Sequence, residues 1–214
     1  MVDNKSIVDF DEKKIIYENL FSIPIVQYQT TNTEEMNKEL KEIILKKEKE
    51  TPTTTKSNQG GWQSEGDFFR WGGQSIEKLH NLFLQLIESS TKKLEFVETI
   101  PMDFHIYGWA NVNRKGHSNI AHIHPMSTWS GTYYVDAGDE LDDNKCGLFE
   151  AFNPNLSHLT SFFPGMLPGE HHIKPKTGLM NLFPSYVRHG VRTYYGNNPR
   201  ICVAVNAAMR IKAP

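Results

Sequence analysis

The chain has 214 residues, 38% of them hydrophobic and 22% charged, which is enough for one folded domain with a buried core. Its 23 basic and 25 acidic side chains leave a formal net charge of −2, so no global field draws it to nucleic acid or to an anionic membrane. Two cysteines, Cys146 and Cys202, with no CxxC pair, are too few for a disulfide scaffold or a cysteine zinc site and suit a reducing compartment.

The opening stretch MVDNKSIVDFDEKK alternates acid and base and has no apolar signal core. No apolar run approaches the roughly 20 residues needed to span a bilayer, and a cytoplasmic protein is expected. Phe21 to Val26 reads as a short strand. Asn32 with Glu35 then looks like a helix N-cap and its return partner, and Met36, Leu40, Ile43 and Ile44 follow at helical spacing. The lysines and glutamates from Lys38 to Glu50 form the solvated face of that helix. The stretch TPTTTKSNQGGWQS (51–64) reads as a loop. A second helix fits Ser75 to about Leu94, with a core-facing stripe of Ile76, Leu79, Phe83, Leu86, Ile87 and Leu94.

From Thr99 onward the hydrophobic period changes to two. Candidate strands are 102–113, 130–136, 147–152, 169–174, 178–183 and 200–211, separated by Gly, Pro, Asn and Asp clusters. Many short strands at fairly even spacing predict an antiparallel double-sheet barrel of the jelly-roll kind, with the two helices packed on the outer face of one sheet. The fold class is therefore mainly β with N-terminal helices (α+β). Residues 1–214 read as a single domain, 1–99 as helical support and 100–214 as the barrel. There is no internal repeat, low-complexity tract or dividing linker.

Nine histidines are present. His122 and His124 stand as HIHP, and His189 follows 65 residues later in FPSYVRHGV. On a strand, residues i and i+2 point to one face, so His-x-His aims two imidazoles into one volume, and a third from a facing strand closes a triangle around an ion. His117, His158, His171 and His172 read as surface or loop histidines, and His80 and His105 as structural ones. Arg200 comes 11 residues after His189 and opens RICVAVNAAMRI, where Arg200, Cys202, Ala204 and Asn206 share a face. A hairpin through TYYGNNP would bring its guanidinium into the same cavity, and its planar fork suits a carboxylate. A metal ligand followed by a carboxylate-gripping arginine is what an oxygenase with a 2-oxo-dicarboxylic cosubstrate needs.

The segments GWANVNRKGHSNIAHIHPMSTWSGTYYVDAG and GLMNLFPSYVRHGVRTYYGNNPRICVAVN resemble a family of 2-oxoglutarate- and Fe(II)-dependent oxygenases of bacteria and phages. LFSIPIV and SNQGGWQS extend the likeness over nearly the whole chain. The resemblance implies a double-stranded β-helix and a hydroxylation coupled to decarboxylation of 2-oxoglutarate to succinate and carbon dioxide. It implies Fe(II) on His122 and His189, and Arg200 on the distal carboxylate of 2-oxoglutarate. It also implies Tyr134 beside that carboxylate and Asn206 near the cosubstrate or substrate. A phage-encoded chain would work in the host cytoplasm. One departure stands out: the wider superfamily has His-x-Asp or His-x-Glu where this chain has His-Ile-His, so His124 is either the third ligand or a neighbour of the metal.

A cupin pattern overlaps this one. Gly116 with His122 and His124 fits its opening, and Gly178, Pro184 and His189 fit its second half. It fails where Thr128 and Trp129 stand for glutamate, at Tyr186 for glycine and at Thr193 for asparagine. A cupin-type metal enzyme or binding barrel would not use 2-oxoglutarate and would have no need of Arg200. A non-enzymatic barrel would show a broken triad or lack the arginine. The expected partners are O2 and a small-molecule or peptide substrate, a peptidyl or free amino acid before others. Nucleic acid is not expected, since no basic stripe with interleaved aromatics is visible. Sheet edges leave a homodimer open. Trp62, Phe68, Phe69 and Trp71 read equally as a lid over the barrel mouth or as staples between helix and sheet, and the same ambiguity holds for Tyr194 and Tyr195 in the expected hairpin.

Overall fold

In RICVAVNAAMRI the odd-numbered positions 201–207 are apolar and the even-numbered ones carry Arg, Cys, Ala and Asn, so the strand has one face for a dry core and one for a site. A computed structural model, which describes residues 22–94, 102–139, 146–154 and 169–211, bears this out. The elements in chain order are β1 (Val26–Gln29), α1 (Glu34–Glu50), β2 (Asn58–Gln59), β3 (Trp62–Gln63), a 3-10 turn (Phe68–Arg70) and α2 (Gln74–Lys92). They are followed by β4 (Met102–Asn113), β5 (Ser118–His122), β6 (Trp129–Asp136), β7 (Phe149–Phe152), β8 (Glu170–Ile173), β9 (Leu179–Pro184), β10 (His189–Val191) and β11 (Arg200–Ile211).

Two antiparallel sheets result, one in the order β1-β9-β6-β11-β4-β3 and one in the order β2-β5-β10-β7-β8. β11 anchors the first: it pairs with β4 from Arg200↔Asn113 to Ile211↔Met102 and with β6 along its other edge. The two helices lie on the outer face of this sheet. Leu40 and Ile44 of α1 and Ile76, Leu79, Phe83 and Ile87 of α2 pack there with Ala110, Val112, Tyr133, Val203 and Val205. Each such aliphatic side chain contributes about 1.5–3 kcal/mol by leaving water. A second cluster, including Tyr134, Phe149, Ile173, Phe183, Val187 and Cys202, lies between the sheets. This is the jelly-roll architecture expected from the strand spacing.

The differences are local. The first strand is Val26–Gln29 rather than 21–26, and Phe21 lies outside the described residues. Asn32 is not the N-cap: it takes a positive φ of 56°, and the helix starts after Thr33, with no side-chain capping bond. The stretch 51–64 is a loop that contributes one two-residue strand to each sheet. Trp62 and Phe68 are buried, and Phe69 and Trp71 pack against the same core, so these four aromatics are staples rather than a lid. Trp62 also donates its indole N–H to Thr51 O at 3.1 Å. No helix among the described residues is long and apolar enough to cross a membrane.

Close strand packing requires glycine at one central position. A Cβ on Gly131 of β6 would lie 2.6 Å from Asn181 O on the neighbouring strand. Gly131→Ala is expected to destabilise the protein by about 1–3 kcal/mol, seen as a lowered thermal midpoint; an unchanged midpoint would mean that the two strands separate freely.

Candidate functional site

β10 is only three residues long, but it lies between β5 and β7 and fixes the site. Its register sets His189 opposite His122 on one side and Ala151 on the other. His124 lies just past the end of β5, where its backbone N–H donates to Ser185 O at 3.0 Å and ties it to the turn after β9. The three rings meet with centroids 4.8 Å (His122–His124), 4.5 Å (His122–His189) and 5.0 Å (His124–His189) apart. One ligand atom from each lies within 4.8 Å of the others, close enough to share one ion.

Two backbone carbonyls orient the rings. Nδ1 of His122 is 2.7 Å from Ile120 O, and Nδ1 of His189 is 2.8 Å from Val187 O. A carbonyl only accepts, so each Nδ1 carries the proton and each Nε2 keeps its lone pair for a metal. Phe149 and Phe183 flank His189, and Trp109 lies against His124. Burial pushes the His189 pKa down to about 3 and that of His124 down to about 4, and it lowers that of His122 as well. All three imidazoles are therefore neutral at pH 7, as metal ligands must be.

Arg200 comes to this cavity from the other sheet. It does not sit across a hairpin from His189, as the sequence suggested: β10 belongs to the five-stranded sheet and β11 to the six-stranded one, and 192–199 crosses between them. Tyr194 is buried in that crossing, its hydroxyl donating to Asn198 O and accepting from the Asp139 N–H, whereas Tyr195 is exposed. Neither forms a mouth hairpin.

The Arg200 side chain is 1% exposed. Its guanidinium lies 5.0 Å from the Tyr134 ring centroid, and Nη1 is 3.8 Å from Cys202 Sγ. Its Nε has no partner, and no carboxylate pairs with it among the described residues. Tyr134 is fully buried; burial raises its pKa and the neighbouring guanidinium opposes that. Its hydroxyl accepts from Asn181 Nδ2 at 3.4 Å. Asn206 points the same way along β11, but its amide accepts from Ser130 Oγ at 2.7 Å and donates to the Tyr107 hydroxyl at 2.9 Å.

The structure thus brings His122, His124, His189, Tyr134 and Arg200 to one cavity, whose wall also includes Asn111, Thr132 and Cys202. A neighbouring groove of about 530 Å³ shares His122, His124 and Trp109 with it and is lined further by Tyr107, Ile120 and Ile123. Sequence reasoning missed Tyr107, Trp109 and Asn111. They occupy alternate positions of YGWANVN, so a period-two reading of β4 held the signal. Other histidines play different parts. His171 and His172 lie on β8, where His172 lies beside Glu150 and Glu170, the two carboxylates that pair with Arg192. His80 packs edge-on to Phe69, His117 accepts from the Arg114 N–H, and His158 lies outside the described residues.

These groups fit a divalent first-row metal and a dicarboxylic chelator. Three neutral imidazoles with room beside them suit the metal, and a buried cation with no counter-ion among the described residues suits a carboxylate. The cupin alternative fits worse: where it needs a glutamate ligand, Trp129 turns to the helices and donates to Thr91 Oγ1 at 2.9 Å.

Residues 107–206 match the profile of the family described as "Putative 2OG-Fe(II) oxygenase". Among curated proteins no sequence matches this chain. Solved structures share the fold at low identity. A prolyl-4-hydroxylase of Pseudomonas putida is 15% identical, with 88% of this chain and 93% of that one covered at a TM-score of 0.60. A prolyl hydroxylase of Trichoplax adhaerens, in complex with a hypoxia inducible factor peptide fragment, is 14% identical, with 86% and 83% covered at 0.63. HygX of Streptomyces hygroscopicus, with nickel and 2-oxoglutarate bound, is 11% identical, with 86% and 82% covered at 0.57. The matched residues 107–206 carry all three histidines and Arg200, and this region is similar to the 2-oxoglutarate- and Fe(II)-dependent oxygenases.

Proposed function

We propose that the chain is a 2-oxoglutarate- and Fe(II)-dependent oxygenase that hydroxylates a C–H bond of a peptidyl or free amino acid, with residues 1–214 acting as one domain. The reading assigns Fe(II) to His122, His124 and His189, and the far carboxylate of 2-oxoglutarate to Arg200 and Tyr134. The observation that carries it is the guanidinium of Arg200, buried without a counter-ion among the described residues in a cavity whose other wall bears the three imidazoles. A barrel that did not bind 2-oxoglutarate would carry that desolvated charge to no purpose.

The chain's own groups hold the geometry. Ile120 O and Val187 O keep the Nε2 lone pairs of His122 and His189 turned inward. His124, in the place of the usual carboxylate, adds no negative charge, so more of the metal's charge is left for an anionic chelator to balance. Arg200 provides a charged, planar donor set, and the hydroxyl of Tyr134, already accepting from Asn181, has its own proton to give a carboxylate. Phe149 and Phe183 cover the His189 ring, and Trp109 lies against that of His124. When bound, the iron and 2-oxoglutarate supply oxidation by O2 coupled to decarboxylation of the cosubstrate to succinate.

Fe(II)-loaded protein is expected to convert 2-oxoglutarate to succinate. Arg200→Met should raise the 2-oxoglutarate concentration for half-maximal turnover by about 100-fold, roughly 2.7 kcal/mol of lost carboxylate binding. The same variant should melt higher than the parent when both are ligand-free, because it removes an uncompensated buried charge, and it should lose the rise in melting temperature that 2-oxoglutarate gives the parent. An unchanged 2-oxoglutarate requirement removes Arg200 from this role.

A further inference from the structure

The groove beside the histidines contains one donor whose direction is fixed from behind. Ser130 Oγ donates to Asn206 Oδ1 at 2.7 Å, so the 2.8 Å contact between the Ser130 and Ser185 hydroxyls has Ser185 as donor. Asn206 Nδ2 in turn donates to the Tyr107 hydroxyl at 2.9 Å. Ser130, Ser185 and Asn206 are buried, and Tyr107, at 36% exposed, is where the chain of bonds reaches solvent. Each hydroxyl has one proton. Tyr107 accepts from Asn206, so its own proton is left to point away from the protein, into the groove that Tyr107 lines with Trp109, His122 and His124.

We infer that Tyr107 is a substrate-binding residue that donates to a carbonyl oxygen, and that the groove takes a neutral, amide-bearing chain such as a peptide segment with apolar side chains. This rests on the oxygenase reading and narrows its substrate class. The groove's apolar surface comes from Tyr107, Trp109, Ile120 and Ile123, with Ile120 and Ile123 about half exposed. Its charged residues are one of each sign, Lys56 and Glu65, and Glu65 already accepts from Thr54 Oγ1 at 3.1 Å. No cluster of carboxylates is present for a polycation and no cluster of cations for a polyanion. A volume of about 530 Å³ suits a few residues of such a chain. Asn206 acts through Tyr107 as a positioning residue.

The test uses the Ni(II)-loaded, 2-oxoglutarate-bound protein and follows tryptophan fluorescence on titration with a pool of capped hexapeptides of apolar residues. An aminoglycoside and an oligonucleotide serve as the contrasting probes. The peptide pool is expected to bind in preference to the other two, and Tyr107→Phe to weaken it five- to tenfold, as the loss of one hydrogen bond implies. Asn206→Leu should weaken it in the parent but have no further effect in the Tyr107→Phe background, which a merely structural role would not produce. Peptide affinity unchanged by Tyr107→Phe, or preferred binding of either contrasting probe, overturns the inference. Calorimetric 2-oxoglutarate binding to the same Ni(II) protein keeps the two readings apart. If it persists in Tyr107→Phe, the oxygenase reading stands whatever the peptides do; if the parent lacks it, that reading fails first.

Discussion

A charged guanidinium held between two sheets with no counter-ion among the described residues is among the costlier things a fold of this size can contain, and the rest of the structure is arranged around it. Arg200 opens β11, the strand bonded along both edges in the middle of the larger sheet. Its neighbours soften the cost without removing it: the Tyr134 ring offers a π face and the Cys202 sulfur a weak acceptor. The stability that allows the arrangement comes from the other side of the same strand. Ile201, Val203, Val205 and Ala207 are buried there in the core that the two helices complete. One strand therefore carries part of the apolar core on one face and a buried guanidinium on the other.

The two sheets divide the candidate ligands between them. The smaller sheet carries His122 and His189, paired across β5 and β10, with His124 just beyond the strand end. The larger sheet carries Arg200 and Tyr134 on adjacent strands. A molecule that reaches both must be bifunctional, with a chelating end for the metal and an acidic end for the guanidinium. Desolvation works in opposite senses at the two ends. It keeps the imidazoles neutral and ready for a cation, while it leaves the buried Arg200 guanidinium in want of an anion.

Much of this was legible in the sequence because the large sheet follows simple rules. The bounds of β4 and β11 and the shared face of Arg200, Cys202 and Asn206 followed from a period of two, whereas Tyr134 was found through the family resemblance. The helical stripes were equally plain, since Leu40, Ile44, Ile76, Leu79, Phe83 and Ile87 repeat at turns of a helix. The smaller sheet was harder. Ser118–His122 is short and largely polar, because it serves the site more than a core, and β10 has three residues. They carry His122 and His189, two of the three candidate metal ligands, which motif spacing found where hydrophobic pattern did not. The hairpin expected between His189 and Arg200 was wrong for a topological reason: eleven residues suffice to cross from one sheet to the other, and local sequence does not distinguish a crossing from a turn. Asn32 misled in a similar way, since a residue that favours N-caps also tolerates the left-handed conformation it adopts here. The Ser185–Ser130–Asn206–Tyr107 chain of bonds joins residues up to 99 positions apart, and only the fold reveals it.

The central claim is that one cavity holds a metal on the three histidines and 2-oxoglutarate between that metal and Arg200. Anaerobic titration of the metal-free protein with Fe(II) and then 2-oxoglutarate, followed in the visible spectrum, tests it most directly. The account predicts a charge-transfer band that appears only when 2-oxoglutarate joins the iron. Iron binding with no such band would contradict the cosubstrate assignment, and failure to bind iron at all would contradict the account as a whole.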